Sequence, residues 1–579
     1  MAEATGERTM SRIDRGRLRR LVGIAMGLVA LILAVALVPP FVAALVPAWL
    51  QKRIGLGILW GVLLLYAAAV VLAPVAVFGS LGLLVRRGRA GSGRVRQAFR
   101  GLALGLSTLL ALGVMEAGAW VYRLQAERLP PLPEPPPRSA GEGSDRVLRL
   151  LVLGESSARG EPFDPRLSVG QIVAWQLERV FPGRRVEVEM RAQPGIGLDL
   201  ALTYLRNLSH RPDAILLYSG HNEFQSRFSW SRSVAHYRQD PQLARGWPLI
   251  WAARWSSVCR LIDQAMETHR LSFPPPQKVT RQLVDHPTCT PAEYDGIVEA
   301  FRGRLEHLVA YCERHDIPLW AVSPPGNEGD YPPCRSVLRA DTDEAARAAF
   351  DRDFEAIRAL ETSDPSRAVA GYRALLERQP GFAETHFRLA RLLEAAGRHA
   401  EARVHFILAR DLDGLPMRCP SRLLDVYREV AQRHPRMILV DGPTVLGRTS
   451  PTGIIDDHLI QDGQHPTLIG YVALAQDLLD QLPRRGAFGW PADVPAPTID
   501  LADCADHFGI DRAVWADVCR RAASFYQRTA HIRFDPSESL AKARRLEQAA
   551  EAIESGTAPE NTGIPGLGLR LPAGAAASP

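Results

Sequence analysis

The chain has 579 residues, 46% of them hydrophobic, and a formal net charge of +6 at pH 7. That length exceeds what one hydrophobic core organises, so several regions are expected. The basic excess is almost wholly arginine, with Lys52, Lys278 and Lys542 the only lysines. No basic stripe interleaved with aromatics stands out, which argues against a nucleic-acid partner.

Three apolar stretches open the chain, at about residues 21–46, 55–85 and 101–122, and each meets the ~20 residues that a membrane crossing requires. The first is interrupted by Pro39-Pro40 and has no clean small-residue cleavage site, so it reads as an anchor rather than a signal peptide. Arg12, Arg15, Arg17, Arg19 and Arg20 precede it, and Arg86, Arg87, Arg89, Arg94, Arg96 and Arg100 lie between the second and third stretches. Arginine-rich flanks stay in the cytoplasm. The expectation is a multi-pass protein of the inner (cytoplasmic) membrane with a cytoplasmic N-terminus, residues 1–125 forming the anchor. Everything after Tyr122 then lies in the periplasm or its equivalent. All seven cysteines fall in that exterior part, where disulfides persist; Cys504 with Cys519, or Cys334 with Cys419, are the pairs the spacing suggests.

Residues 126–145 contain the run Pro-Pro-Leu-Pro-Glu-Pro-Pro-Pro at 130–137, a stiff extended spacer. Apolar runs at Leu148–Leu153, Val186–Met190, Ala214–Tyr218, Ile317–Val322 and Met437–Val440 then read as strands. Helical periodicity covers Val169–Val180, Leu198–Leu208, Ala292–Cys312, Leu423–Gln432 and Leu468–Leu482. Strands alternating with helices predict an α/β domain, a parallel sheet sandwiched by helices, over 146–341 and 417–490.

Two segments interrupt the alternation. Residues 225–290 form an insertion rich in Trp and Arg, including Trp230, Trp247, Trp251, Trp255, Arg227, Arg232 and Arg238. Residues 342–416 are purely helical, and Ala368, Tyr372 and Pro380 recur as Ala402, Phe406 and Gly414, 34 positions later. That period resembles the tetratricopeptide repeat, whose surfaces bind protein partners; a plain helical hairpin is the alternative. Residues 491–555 read as a further helical segment without chemistry, and 556–579 as a Gly/Pro/Ala tail expected to be disordered.

Four short segments carry the chemistry. Gly154-Glu155-Ser156-Ser157 directly follows the first predicted strand, where a tight turn can expose a serine hydroxyl. Ala192-Gln193-Pro194-Gly195-Ile196-Gly197 and Ser219-Gly220-His221-Asn222-Glu223 follow the second and third. Asp462-Gly463-Gln464-His465 precedes Pro466, Gly470 and a helix. A serine is a weak nucleophile until a base takes its proton. His465 supplies that base and Asp462 would hold its other nitrogen. Asn222 and the Gly195–Gly197 loop can donate hydrogen bonds to a developing oxyanion. Taken singly, each segment is an ordinary turn, and Asp462 or Thr467 could simply cap a helix beside a surface histidine.

Together, in this order, they resemble the four signature segments of the SGNH/GDSL hydrolase family of serine esterases and acyltransferases. The resemblance covers roughly residues 146–225, 290–335 and 420–482. It implies an SGNH-type (flavodoxin-like) parallel sheet; the helical hairpins are read as inserted in it, and the three apolar stretches as N-terminal transmembrane helices ahead of it. It implies Ser156 as nucleophile, Asp462 and His465 as the rest of the triad, and Gly195, Gly197 and Asn222 as the oxyanion hole. Ser323-Pro324-Pro325-Gly326-Asn327 looks like a loop placed near the pocket. Glu155 replaces the usual aspartate, Gln193 is nearest to the usual second-segment Asn, and Leu198 stands where a second glycine is common. No cofactor or metal is implied. The expected activity is cleavage of O-acyl esters on envelope glycans or lipids. An O-acyltransferase acting on a polysaccharide and a non-catalytic assembly factor built on the repeat stay open.

Overall fold

The computed structural model describes residues 65–81, 92–126, 129, 131–137, 147–225, 256–268, 287–289, 291–530, 532–533 and 535–556. The first apolar stretch, the four tryptophans and three arginines named in the insertion, and the tail beyond Gly556 lie outside them. The chain divides into two units, residues 1–128 with 240–274, and residues 129–239 with 275–579.

In the first unit, helix Ser92–Ala126 contains the apolar stretch Val95–Tyr122, with mean hydropathy 1.7, long enough to cross a membrane. Among the described residues it is the one such helix, against an expectation of three. The second stretch is described only as helix Leu65–Leu81, about 25 Å long against a hydrocarbon core of ~30 Å. Helix Ser257–Thr268 packs against helix Ser92–Ala126. The Ser257 N–H donates to Glu116 at 2.7 Å, and the hydroxyls of Tyr66 and Ser256 donate to the same carboxylate. The described residues 256–268 of the Trp/Arg-rich insertion are thus placed with helix Ser92–Ala126. An acidic side chain on an apolar helix needs donors, and the returning segment supplies them.

The second unit is built on a five-stranded parallel sheet of order β2-β1-β3-β4-β5. The strands are β1 (Val147–Gly154), β2 (Arg185–Ala192), β3 (Ala214–Tyr218), β4 (Leu319–Ser323) and β5 (Ile438–Asp441). The five predicted strands all fall on them. Side chains alternate across a strand, so Leu150 and Val152 enter one core while Leu151 and Leu153 enter another. Because both parities are apolar, both faces need cover, the signature of a buried parallel sheet.

After β1 comes the four-residue α1 (Ser156–Arg159), then α2 (Val169–Val180), whose Ile172, Val173 and Leu177 cover the first face. Helices α3 (Leu198–Thr203) and α4 (Pro291–Arg314) cover the second face. Between β4 and β5 stand α5 (Glu344–Arg358), α6 (Pro365–Arg378), α7 (Ala383–Ala395) and α8 (His399–Asp411). Their own core contains Ala402, Tyr372 and Phe406, fully buried, and Ala368 is buried as well. The 34-residue spacing thus marks interior positions of a helical insertion. Asp364 accepts from the Arg367 N–H at 3.1 Å with Pro365 behind it, a regular helix start.

Helix α9 (Ser421–Arg433) joins the second face, and α10 (Gly442–Thr449) and α11 (Leu468–Gln481) the first. The chain continues through α12 (Leu501–His507) into a hairpin of α13 (Arg512–Ala530) and α14 (Pro536–Glu554). All seven cysteines are buried and none is disulfide-bonded. Cys504 and Cys519 sit in different cores, as do Cys334 and Cys419, so each thiol serves as a small apolar core group instead of the expected bridge.

Gly154 ends β1 at φ +144°, and a β-carbon there would lie 2.0 Å from the Tyr218 carbonyl oxygen. No side chain fits between the two strand ends. Gly154→Ala is expected to cost about 3 kcal/mol or more through clash and backbone strain, read as a large drop in the midpoint of thermal unfolding.

Candidate active site

In an open parallel sheet a crevice forms beyond the strand carboxyl ends where the winding reverses direction. Here that point lies between β1 and β3, which pair directly through Gly154 and Tyr218. Ser156 follows β1 and Asn222 follows β3. Each predicted site residue can be located relative to that crevice.

Ser156 starts α1, 6% exposed. Its Oγ lies 2.7 Å from His465 Nε2. On the other side of the ring, His465 Nδ1 lies 2.7 Å from Asp462 Oδ2. The second carboxylate oxygen, Oδ1, accepts from the backbone N–H groups of Gln464 at 2.8 Å and His465 at 2.9 Å. The aspartate is thus fixed by its own turn, and with Nδ1–H donated to it, Nε2 turns its lone pair to the serine. Thr467 caps α11 by accepting from the Gly470 N–H. The helix cap and the oriented histidine, weighed as rivals from sequence, coexist.

The electrostatics follow the contacts. Burial works against a charged imidazole at His465, but the Asp462 carboxylate and its hydrogen bond prevail and raise its pKa above the ordinary value. Burial likewise opposes an ionised Asp462, yet His465 and the two backbone donors hold its carboxyl below the ordinary range. A buried, oriented acceptor of this kind activates a serine hydroxyl.

Asn222 lines the same cavity, and its side-chain Nδ2 is buried with no hydrogen-bond partner. An unpaired buried donor is costly, and here it borders the nucleophile. Its backbone is fixed by Glu155, whose two carboxylate oxygens accept from the His221 N–H at 2.9 Å and the Asn222 N–H at 3.0 Å. Burial pushes the Glu155 carboxyl up to about 8, with the two amides pulling the other way. The Glu155 side chain is long enough to reach the loop after β3.

The two glycines part company. Gly195 borders the cavity at φ +78°. Gly197 is the N-terminal cap of α3 and is not among the lining residues. The next amide, Leu198 N–H, is taken by Glu223 Oε1 at 2.7 Å. Gly195 is thus the glycine of the two that faces the cavity. Gln193 is absent from the lining, whereas Gln225 is present. Asn327 acts from behind: its Nδ2 donates to Asp457 and to the Ile460 carbonyl, both at 2.8 Å, bracing the segment that carries Asp462. Asp457 pairs with Lys542 at 2.6 Å, and His458 Nδ1 lies 3.5 Å from Asp456 Oδ1.

The cavity measures about 710 Å³. One wall was not foreseen. Arg520, Arg521, Ser524, Phe525, Arg528 and Thr529 of α13 face it, and the Phe525 ring meets His465 edge-on, centroids 5.8 Å apart. The available signal was a polar face at i, i+3, i+4, i+7 opposite an alanine-rich one, which does not reveal what that face looks onto. Among the described residues no group of His, Cys, Asp and Glu side chains is arranged to hold a metal.

Three outcomes are expected. Because His465 must be neutral to accept a proton and its pKa is raised, kcat/KM should climb with pH through an apparent pKa above the ordinary ~6.5. Asp462→Asn should reduce kcat by about 10³- to 10⁴-fold through the wrong tautomer. Asn222→Ala should reduce kcat by about 10²- to 10³-fold with little change in the acid limb; stopped assays across pH 5–9 check all three. Comparison with protein-family models, curated proteins and solved structures gives no match, so the reading of this site rests on its own geometry.

Proposed function

We propose that this protein is a membrane-anchored serine hydrolase of the SGNH type that cleaves O-acyl esters outside the cytoplasm. The observation that carries this reading is the continuous chain Asp462–His465–Ser156, with both links at 2.7 Å, bordered by the unpartnered Asn222 amide. Helix Val95–Tyr122 supports the anchor. The distribution of N-terminal arginines supports a multi-pass topology with the site on the outer side.

In the proposed reaction Ser156 Oγ attacks the ester carbonyl while its proton passes to His465 Nε2. The negative oxygen of the tetrahedral intermediate is held by Asn222 Nδ2–H and the backbone of the Gly195 loop. Collapse expels the alcohol, which takes the proton from His465, and leaves an acyl group on Ser156. Water, deprotonated by the same Nε2, then attacks the acyl-serine; the carboxylic acid departs and Ser156 recovers its proton. The Asp462 carboxylate stays ionised and stabilises the imidazolium in each half-reaction.

A fluorophosphonate probe applied to the full-length protein in detergent should label Ser156, and Ser156→Ala should remove the label. With acetylated oligosaccharides, free acetate and deacylated sugar should appear together, with Ser156→Ala slower by about 10⁴-fold or more. Transfer of the acetyl group to an added glycan in place of water would convert the reading to an acyltransferase. An unlabelled wild-type serine at pH 8 would sink it.

A further inference from the structure

The α13 wall narrows the substrate class, an inference resting on the cavity beside Ser156 being the substrate site. Arg521, Ser524, Phe525 and Arg528 share one face of the helix and line the cavity. The opposite face, with Ala516, Cys519, Ala522, Ala523 and Tyr526, packs into the hairpin core. The lining face is held in place by that core, so its charges are fixed features of the cavity.

Those charges differ in what balances them. Arg520 makes two bonds to the Glu554 carboxylate, at 2.7 and 2.6 Å. Arg521 bonds Glu161 at 3.0 Å and Asp517 at 2.8 Å. The carboxylates lining the cavity are Glu161, so engaged, and Asp462, engaged by His465. Arg528 is exposed at the cavity and has no hydrogen bond or ion pair with any described residue. It stands seven residues beyond Arg521, about 10 Å along the helix axis, with Phe525 and its edge contact to His465 between them. A free guanidinium thus flanks the catalytic imidazole.

A planar guanidinium pairs with carboxylate or phosphate through two parallel N–H donors. The rest of the lining favours a sugar over a lipid tail. Asn222, Gln225, Gln461 and Ser524 offer hydrogen bonds, while the apolar contributions among the described residues are Met417, Phe525 and two prolines. We propose that the substrate is an anionic glycan, its acyl ester placed at Ser156 while a neighbouring carboxylate or phosphate is bound by Arg528.

The test uses the full-length protein in detergent with three acetylated probes of matched length: an oligogalacturonate, a phosphate-bearing oligomannoside and a neutral xylo-oligosaccharide. At low salt, kcat/KM should favour a charged probe over the neutral one by about tenfold or more, and the preference should shrink as salt rises. Arg528→Gln should bring that ratio close to one, mainly through KM. Arg528→Lys, which keeps a point charge but not the fork, should fall between. Preference for the uronate alone assigns a carboxylate; preference for the phosphosugar alone assigns a phosphate. A wild-type ratio near one, or a ratio that Arg528→Gln leaves in place with thermal unfolding unaltered, overturns the proposal.

Calorimetric binding to Ser156→Ala separates this inference from the hydrolase reading. Charged-probe binding that Arg528→Gln abolishes, with no turnover of any ester by the wild type, would sink the hydrolase and keep the anion site. Turnover of the neutral ester without charged-probe binding would sink the anion site alone.

Discussion

The site depends on how tightly the ends of β1 and β3 are held together. Gly154 has no side chain because the Tyr218 carbonyl occupies that space, and the Glu155 N–H donates to that same carbonyl at 3.3 Å. The Glu155 carboxylate then reaches across to the amides of His221 and Asn222. One residue of β1's exit thus fixes the turn that presents Ser156 and the turn that presents Asn222. A nucleophile and an oxyanion donor must keep a mutual position to within a fraction of an ångström to be useful, and the pairing of two neighbouring strand ends provides that at little cost in chain entropy.

The third part arrives from far along the chain, and its position is set by packing from several sides. Ser157 Oγ donates to the Gln464 carbonyl at 3.2 Å, and the Tyr471 hydroxyl donates to the carbonyls of Ser157 and Glu161. Asn327 holds the segment before Asp462, and Lys542 of α14 reaches Asp457 beside it at 2.6 Å. The helical insertion and the C-terminal hairpin are joined through buried Arg388, which meets Glu384, Glu361 and Glu538 at 2.9–3.1 Å. A buried cation removed from three carboxylates would leave them uncompensated. Insertion and hairpin therefore act as one brace behind the histidine and one wall in front of it.

Much of this was legible in sequence, for identifiable reasons. The strands β1, β3 and β4 are continuous apolar runs, and a parallel sheet buried on both faces requires that. That Ser156, Asn222, Asp462 and His465 meet at one cavity was legible because each stood next to a strand or helix boundary. The 34-residue spacing of Ala368 and Tyr372 with Ala402 and Phe406 was legible because helix-pair cores repeat at fixed intervals. What escaped was whatever depends on which surfaces meet. The Arg521–Arg528 face of α13 reads as solvated until its neighbours are known. Gly195 and Gly197 are equivalent in a turn until one is seen capping α3. The cysteines suggested bridges by spacing alone, whereas their thiols are distributed among separate cores. The helix at Ser257–Thr268 gives no local sign that its partner is Glu116, more than a hundred residues earlier.

That last feature changes how the protein can be divided. The chain leaves the N-terminal unit after Arg128, returns to it for residues 240–274, and leaves again. The α/β unit is consequently interrupted by a segment whose described helix, Ser257–Thr268, packs on helix Ser92–Ala126. The chain therefore passes between the two units three times, after residues 128, 239 and 274. A protease that cuts only in the proline-rich run at 131–137 severs one of those passages and leaves the other two covalently intact. Cutting every covalent link between the units takes three cuts, where a domain appended on a single stalk would need one.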